Sequence, residues 1–253
     1  MRAFLKKEWM EAVRTGRLWI LLLVFALFGI MNPAIAKLTP WMLELMGEQL
    51  AGTGIRVGEI TVDAITFWTQ FYKNMPMALI IFVLFGSGSF TVEYQRGTLI
   101  PVVTKGLSRR KVAAAKMIML AGMWTALYAI CAGITYGYNV YFWDNGTASS
   151  WAFGVFCFWL FGLWVIGWLV LFSTVVGSST QVLLGTGAVV TGAYVLGLIP
   201  VCKKLLPAKL MGGLSLLQGM EKPGDFFGSI LTTCLTILLC VLAALIFFDR
   251  KKL

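Results

Sequence analysis

The side chains equipped to engage a partner gather in one polar stretch between two long apolar runs. It reads Glu93-Tyr94-Gln95-Arg96-Gly97-Thr98-Leu99, then Lys105-Gly106-Leu107-Ser108-Arg109-Arg110-Lys111, and closes at Lys116. Glu93 and Arg96 are three residues apart and share a helix face. Gly97 and Thr98 interrupt the apolar pattern. Ser108 is suited to cap a helix through Arg109, Arg110 and Lys111 to Lys116, although Lys111 stands where a capping box places Glu or Gln. Cations at a helix N-terminus oppose its dipole, so such a helix calls for an acidic surface. Two surfaces fit on charge alone: a groove on a protein partner, or anionic lipid to which the cations anchor the loop.

Other chemistry finds few candidates. The chain has no histidine, which removes the commonest general base, metal ligand and physiological pH switch. Cys131, Cys157, Cys202, Cys234 and Cys240 occur singly; all but Cys202 fall inside apolar spans, where the thiol behaves as a small hydrophobe. No Gly-x-x-x-x-Gly-Lys-Ser/Thr loop is present, and Gly177-Ser178-Ser179-Thr180 lacks the lysine a phosphate loop needs. No span centre carries Asp, Glu, Lys or His, the residues by which ion-coupled carriers move charge at membrane depth. Energy for any transport must then come from elsewhere, and the chain is read as non-catalytic with no metal site.

These residues must be held by elements that live in lipid. Of 253 residues, 59% are hydrophobic and only 13% charged, about half the charge of a soluble domain, and the mean hydropathy is +0.84. Runs long enough to cross a bilayer cover 18–36, 75–92, 117–138, 151–176, 182–201 and 226–248. Trp19, Trp68, Trp143 and Trp151 near span ends fit an interfacial belt, whereas Trp159, Trp164 and Trp168 lie deeper, for packing against helices or lipid. The net charge of +10 is read as orientation rather than nucleic-acid binding. With the N-terminus inside, Arg2, Lys6, Lys7, Arg14, Arg17, Arg96, Lys105, Arg109, Arg110, Lys111, Lys116, Arg250, Lys251 and Lys252 all fall on the cytoplasmic side. Lys203, Lys204, Lys209 and Lys222, between spans five and six, are exceptions.

Residues 1–17 have a helical pattern: Leu5, Trp9, Ala12, Val13 and Gly16 form one stripe, with Lys6, Lys7, Glu8, Glu11 and Arg14 as a polar flank. This describes a helix lying along the inner leaflet. A cleaved signal peptide ending near Ala34-Ile35-Ala36 is the competing reading. The segments 39–73 and 201–225 each fit a capping helix, a re-entrant hairpin or a plain loop. Gly133 and Gly137 form a G-x-x-x-G expected to pack within the chain. Gly185, Ala188, Gly192 and Gly197 give the fifth span a small-residue face suited to a subunit contact.

The order Glu93-x-x-x-Gly97-Thr98-Leu99, then Ser108-Arg109, then Lys116 at the mouth of the next span, resembles the ABC-2 family of ATP-binding cassette permeases. The likeness extends over the whole chain. It implies an all-α polytopic membrane protein of ABC-2 exporter type: one transmembrane domain over 1–253, an interfacial helix, six spans, a coupling helix within 93–116 and a re-entrant segment before the sixth span. Carried over, Glu93, Arg96, Gly97, Thr98, Ser108, Arg109, Arg110 and Lys111 form the docking site for a separate ATPase subunit. Glu93 braces the second span and Gly97-Thr98 turns the chain, while Gly106-Leu107 stand where many members carry proline. The resemblance also implies two ATPase subunits that hold ATP and Mg, with no cofactor bound by this chain. A second permease, the same chain or a paralogue, would meet Gly185, Ala188, Gly192 and Gly197 beside the first span. Among small members the likeness is to exporters of phenol-soluble modulins and to lantibiotic and bacitracin immunity permeases. An amphipathic peptide is therefore the implied cargo, with lipids, hydrophobic drugs or a non-transporting scaffold or sensor as alternatives. The implied location is the plasma membrane, with both termini cytoplasmic.

Overall fold

The computed structural model describes residues 1–50, 64–98, 108–142, 150–199 and 204–250, apart from the side chains at 40 and 43–50. Among these the chain is almost all helix, with no strand. Six helices are long and apolar enough to cross a membrane, in accord with the need for every backbone polar group in lipid to be satisfied within its own segment. Helix α1 spans Arg2–Arg14. Gly16 then takes a φ of +74°, which glycine adopts without steric cost, and α2 sets off over Arg17–Leu50. Helices α3 (Ala64–Gln95), α4 (Arg109–Phe142), α5 (Trp151–Val175) and α6 (Ser179–Leu196) follow. Two 3₁₀ turns, Pro207–Met211 and Pro223–Phe226, flank the short α7 (Gly213–Leu217) before α8 (Phe227–Arg250).

The helices outrun the apolar windows at several ends. α2 continues past residue 36 to Leu50 and α3 begins at Ala64, so helix extends well into the stretch expected as cap or loop. α4 carries the basic end of the polar stretch directly into the third span. The fifth span is shorter than expected: α6 ends at Leu196, with Gly197 as its cap.

α5 is apolar on all sides, which marks a buried helix, and it packs against α3, α4, α6 and α8. Trp124 of α4 lies flat against Gly162, where a Cβ would overlap its ring, and its indole N–H donates to the Trp159 carbonyl at 3.1 Å. Phe25, Phe82 and Tyr128 pack around the same indole. Such contacts supply helix association in lipid, where no hydrophobic drive separates helix from solvent. Trp68 departs from the belt expectation: it is fully buried and stacks on Trp151 with ring centroids 5.0 Å apart. Trp19 is exposed, as a belt residue should be.

At the end of the bundle away from α1, the 207–226 segment folds back onto α5 and α8. Tyr72 is the linchpin. Its hydroxyl donates to the Trp151 carbonyl at 3.1 Å, and its ring occupies the space that a Cβ on Gly154 or Gly213 would need. Lys209, an exception to the charge asymmetry, is no loose surface cation. Its ammonium is buried, donates to the Asp225 carbonyl at 2.8 Å and lies over the Phe226 ring. The Gly133/Gly137 expectation is corrected: among the described residues a Cβ at either would meet nothing within 4 Å, and both glycines are exposed, so this pair does not pack against the described helices.

Candidate functional site

The polar stretch leaves α3 through a defined cap. Gly97 has a φ of +64°, its N–H donates to the Tyr94 carbonyl, and the Thr98 N–H reaches back to the Glu93 carbonyl, both at 3.2 Å. This pair of bonds is the Schellman arrangement that glycine after a helix favours. The turn expected of Gly97-Thr98 is thus a helix stop whose innermost acceptor is Glu93. Arg96 is exposed beside it. Residues 99–107, including Leu99, Lys105, Gly106 and Leu107, lie outside the described residues. The Ser108 carbonyl accepts from the Lys111 and Val112 N–H groups as α4 begins. Arg110 and Lys111 are exposed and Arg109 half-buried. Arg110 forks onto the Asp249 carboxylate of α8 at 2.8 and 3.1 Å, so the end of the last helix lies against the start of α4.

Behind this connection sits a charged knot. Lys116, 1% exposed, donates to both Glu8 carboxylate oxygens at 3.0 Å and to the Ser89 carbonyl at 2.8 Å, and pairs with Glu93 at 2.9 Å. Lys7 bonds Glu93 from the other side and pairs with Glu8 at 3.2 Å and Glu11 at 3.0 Å. The Glu8, Glu11 and Glu93 carboxylates lie within 4.8 Å of one another, and the two ammonium groups sit among them. Burying ions costs several kcal/mol each unless partners complete the geometry; here three helices bring them. Burial works against the Lys7 charge, but the Glu93 hydrogen bond, with Glu8 and Glu11, outweighs it and raises the pKa well above the usual range. Burial likewise disfavours the Glu11 carboxylate, and Lys7 overcomes it, holding the group below its ordinary value of 4.5.

The sequence reading placed Glu8 on a polar flank and Lys116 at a loop end; both are buried. Phe4 and Glu8, not Trp9, face the bundle, and Trp9 is half exposed. A signal for this was available. Lys116 follows Val112-Ala113-Ala114-Ala115, and a cation at the mouth of a span needs a named counter-ion. The Glu93 side chain ties the end of α3 to both α1 and α4. The α3 end has two further ties: Thr91 and Ser179 hydroxyls meet at 2.6 Å, and Gln95 donates to the Gly177 carbonyl at 3.3 Å.

The small-residue face of α6 divides. A Cβ on Gly185 would press on the Phe172 ring at 2.8 Å, and one on Gly197 would crowd carbonyls of its own helix end and lie 3.5 Å from the Ala208 Cβ. Ala188 is exposed, and a Cβ on Gly192 would meet nothing within 4 Å. Among the described residues, Ala188 and Gly192 therefore remain open to a neighbour, Gly185 packs against Phe172 within the chain, and Gly197 caps its own helix.

Six membrane-length helices among the described residues make this a polytopic membrane protein, and comparison with known proteins narrows the class. The chain is 23% identical over 258 residues to the uncharacterized transmembrane protein YxlG of Bacillus subtilis (strain 168), covering 98% of this chain and 95% of that one. No solved structure matches. Residues 2–253 match the family described as ABC-2 family transporter protein, so the chain belongs to the ABC-2 family of membrane transporter subunits.

Proposed function

We propose that this chain is the permease subunit of an ATP-driven exporter whose hydrolysis takes place in a separate ATPase, with ATP and Mg bound there. The observation that carries this reading is the pinning of both ends of the α3–α4 connection. Thr98 closes on the Glu93 carbonyl, Ser108 opens α4, and one buried knot ties Glu93 and Lys116 to α1. A push on this connection is thereby delivered to three helices at once, which is what conformational coupling to a soluble motor requires. Arg96, Ser108, Arg109, Arg110 and Lys111 are the contacts for the motor, with Gly97 and Thr98 setting the turn.

Two ATPases and two permeases make the working unit, and Ala188 and Gly192 are the open positions through which a second permease would pack. The basic residues at the α1 end support a cytoplasmic position for that end and for both termini, in the plasma membrane. Spans without charge at their centres suit an amphipathic peptide as cargo; lipids and hydrophobic drugs are the competing class.

Mild-detergent purification of the tagged chain, followed by mass spectrometry, tests the central claim. Three forms are compared: native, Arg109→Glu with Arg110→Glu, and Asp249→Asn. The last breaks the Arg110 clasp while leaving the cations in place. An ATP-binding cassette subunit should accompany the native and Asp249→Asn chains and be lost from the charge-reversed one. Its absence from all three would overturn the reading. Cargo is then resolved by ATP-dependent release of labelled amphipathic peptide, lipid and drug from inverted vesicles.

A further inference from the structure

The charges of α1 are sorted across its axis. Glu8 is buried against the bundle and held by Lys116, and Glu11 is paired with Lys7, while Arg2 and Lys6 are exposed on the other side. Beside that cationic side, between α1 and α4, runs a groove of about 460 Å³ lined by Leu5, Lys6, Trp9, Ile118, Gly122 and Met123, among others. Apart from Lys6 and the indole of Trp9, these lining groups are apolar. Ile118 and Trp9 are each 50% exposed, so the groove opens sideways rather than into the bundle. Gly122 deepens it, since a Cβ there would meet nothing within 4 Å. The floor belongs to the third span, and the cation and indole stand at its rim.

We infer that this groove is a binding site for one anionic phospholipid of the leaflet that α1 lies on. An acyl chain lies along Ile118, Gly122 and Met123, Trp9 covers the ester region, and Lys6 meets the phosphate with Arg2 one turn away. Charge complementarity selects the occupant. The two acids of α1 that would repel an anionic headgroup are paired with lysines and neither lines the groove, whose rim presents a cation and an amphipathic indole, the side-chain set favoured at a membrane interface. The site is independent of ATPase docking: Lys6 and Gly122 lie outside the α3–α4 connection, and lipid retention can be read without any partner.

Native mass spectrometry of the full chain, delipidated in detergent and then offered phosphatidylglycerol or phosphatidylcholine of identical acyl chains, tests it. The native chain should retain one phosphatidylglycerol about tenfold more strongly than phosphatidylcholine. Lys6→Gln should lower that preference about fivefold, the effect of one cation beside anionic lipid. Gly122→Phe should abolish retention of both lipids by filling the groove. Gly133→Phe, also unobstructed but elsewhere on α4, is the matched control and should retain lipid as the native chain does. Equal retention of the two lipids by the native chain, or unchanged retention in both Lys6→Gln and Gly122→Phe, overturns the proposal. A cationic amphipathic peptide that holds the groove against phosphatidylglycerol overturns it too, and assigns the groove to cargo. If Gly122→Phe fails to fold, Lys6→Gln at its exposed position decides alone.

Discussion

Lys116 and Lys209 are both nearly sealed from solvent, with side chains 1% and 4% exposed, yet their partners come from different distances along the chain. Lys116 finds Glu8 across 108 residues and Glu93 on a third helix. Lys209 finds the Asp225 carbonyl 16 residues away and Glu221 at 3.7 Å. The first cation therefore welds three helices that could otherwise move apart; the second closes one folded-back segment on itself. Similar chemistry serves transmission at one end of the bundle and local shape at the other.

The largest effect should follow from Lys116→Met, which leaves two buried carboxylates to share Lys7 alone and should cost about 3–5 kcal/mol. It is measured as thermal unfolding in detergent. Adding Glu8→Gln should recover a large part of that loss, and no recovery would show that the knot is not one unit. Lys209→Met should cost about 1–2 kcal/mol, because Glu221 is 23% exposed and retains water. Hydrogen exchange should then rise within 204–226 and nowhere else, so a rise at the α1 end would break the contrast. Gly97→Ala should cost about 1–2 kcal/mol from its left-handed backbone and weaken ATPase recovery while leaving 204–226 unchanged. The smallest effect is pH dependence. Glu11 has a lowered pKa, so its contribution is complete above 4.5 and fades as pH falls through the lower folded-state value. Lys7 has a raised pKa, so its contribution is complete below 10.5 and fades only as pH rises through its folded-state value. Attachment of α1, followed by Trp9 fluorescence, should thus hold across neutral pH and loosen in acid as Glu11 is protonated and in strong alkali as Lys7 is discharged.

The helices and their order were legible because lipid demands long apolar runs, and the six spans carry that demand openly. The cap at Gly97-Thr98 was legible for a similar reason: a glycine ending an apolar run is a local signal. The knot was not, because it is a pairing. Glu8 looks solvated when its helix is judged by Leu5 and Trp9 alone, and Lys116 looks like a loop cation until Glu8 is placed beside it. Trp68 misled in the same way; its position near a span end suggested the membrane surface, while Trp151, far away in sequence, draws it inside. Gly133 and Gly137 carry the spacing of a packed pair, but spacing does not say which side of α4 the bundle lies on.

The seat of Tyr72 between Gly154 and Gly213 has a consequence for how such chains can diverge. Three positions on three different elements share one ring's volume, so neither glycine is free to drift while the tyrosine stays. A descendant that first shortened residue 72 would release both glycines together and would then be barred from restoring the ring once either had gained a side chain. Substitution at this end of the bundle is therefore ordered and hard to reverse, with Tyr72 as the residue whose loss must come first.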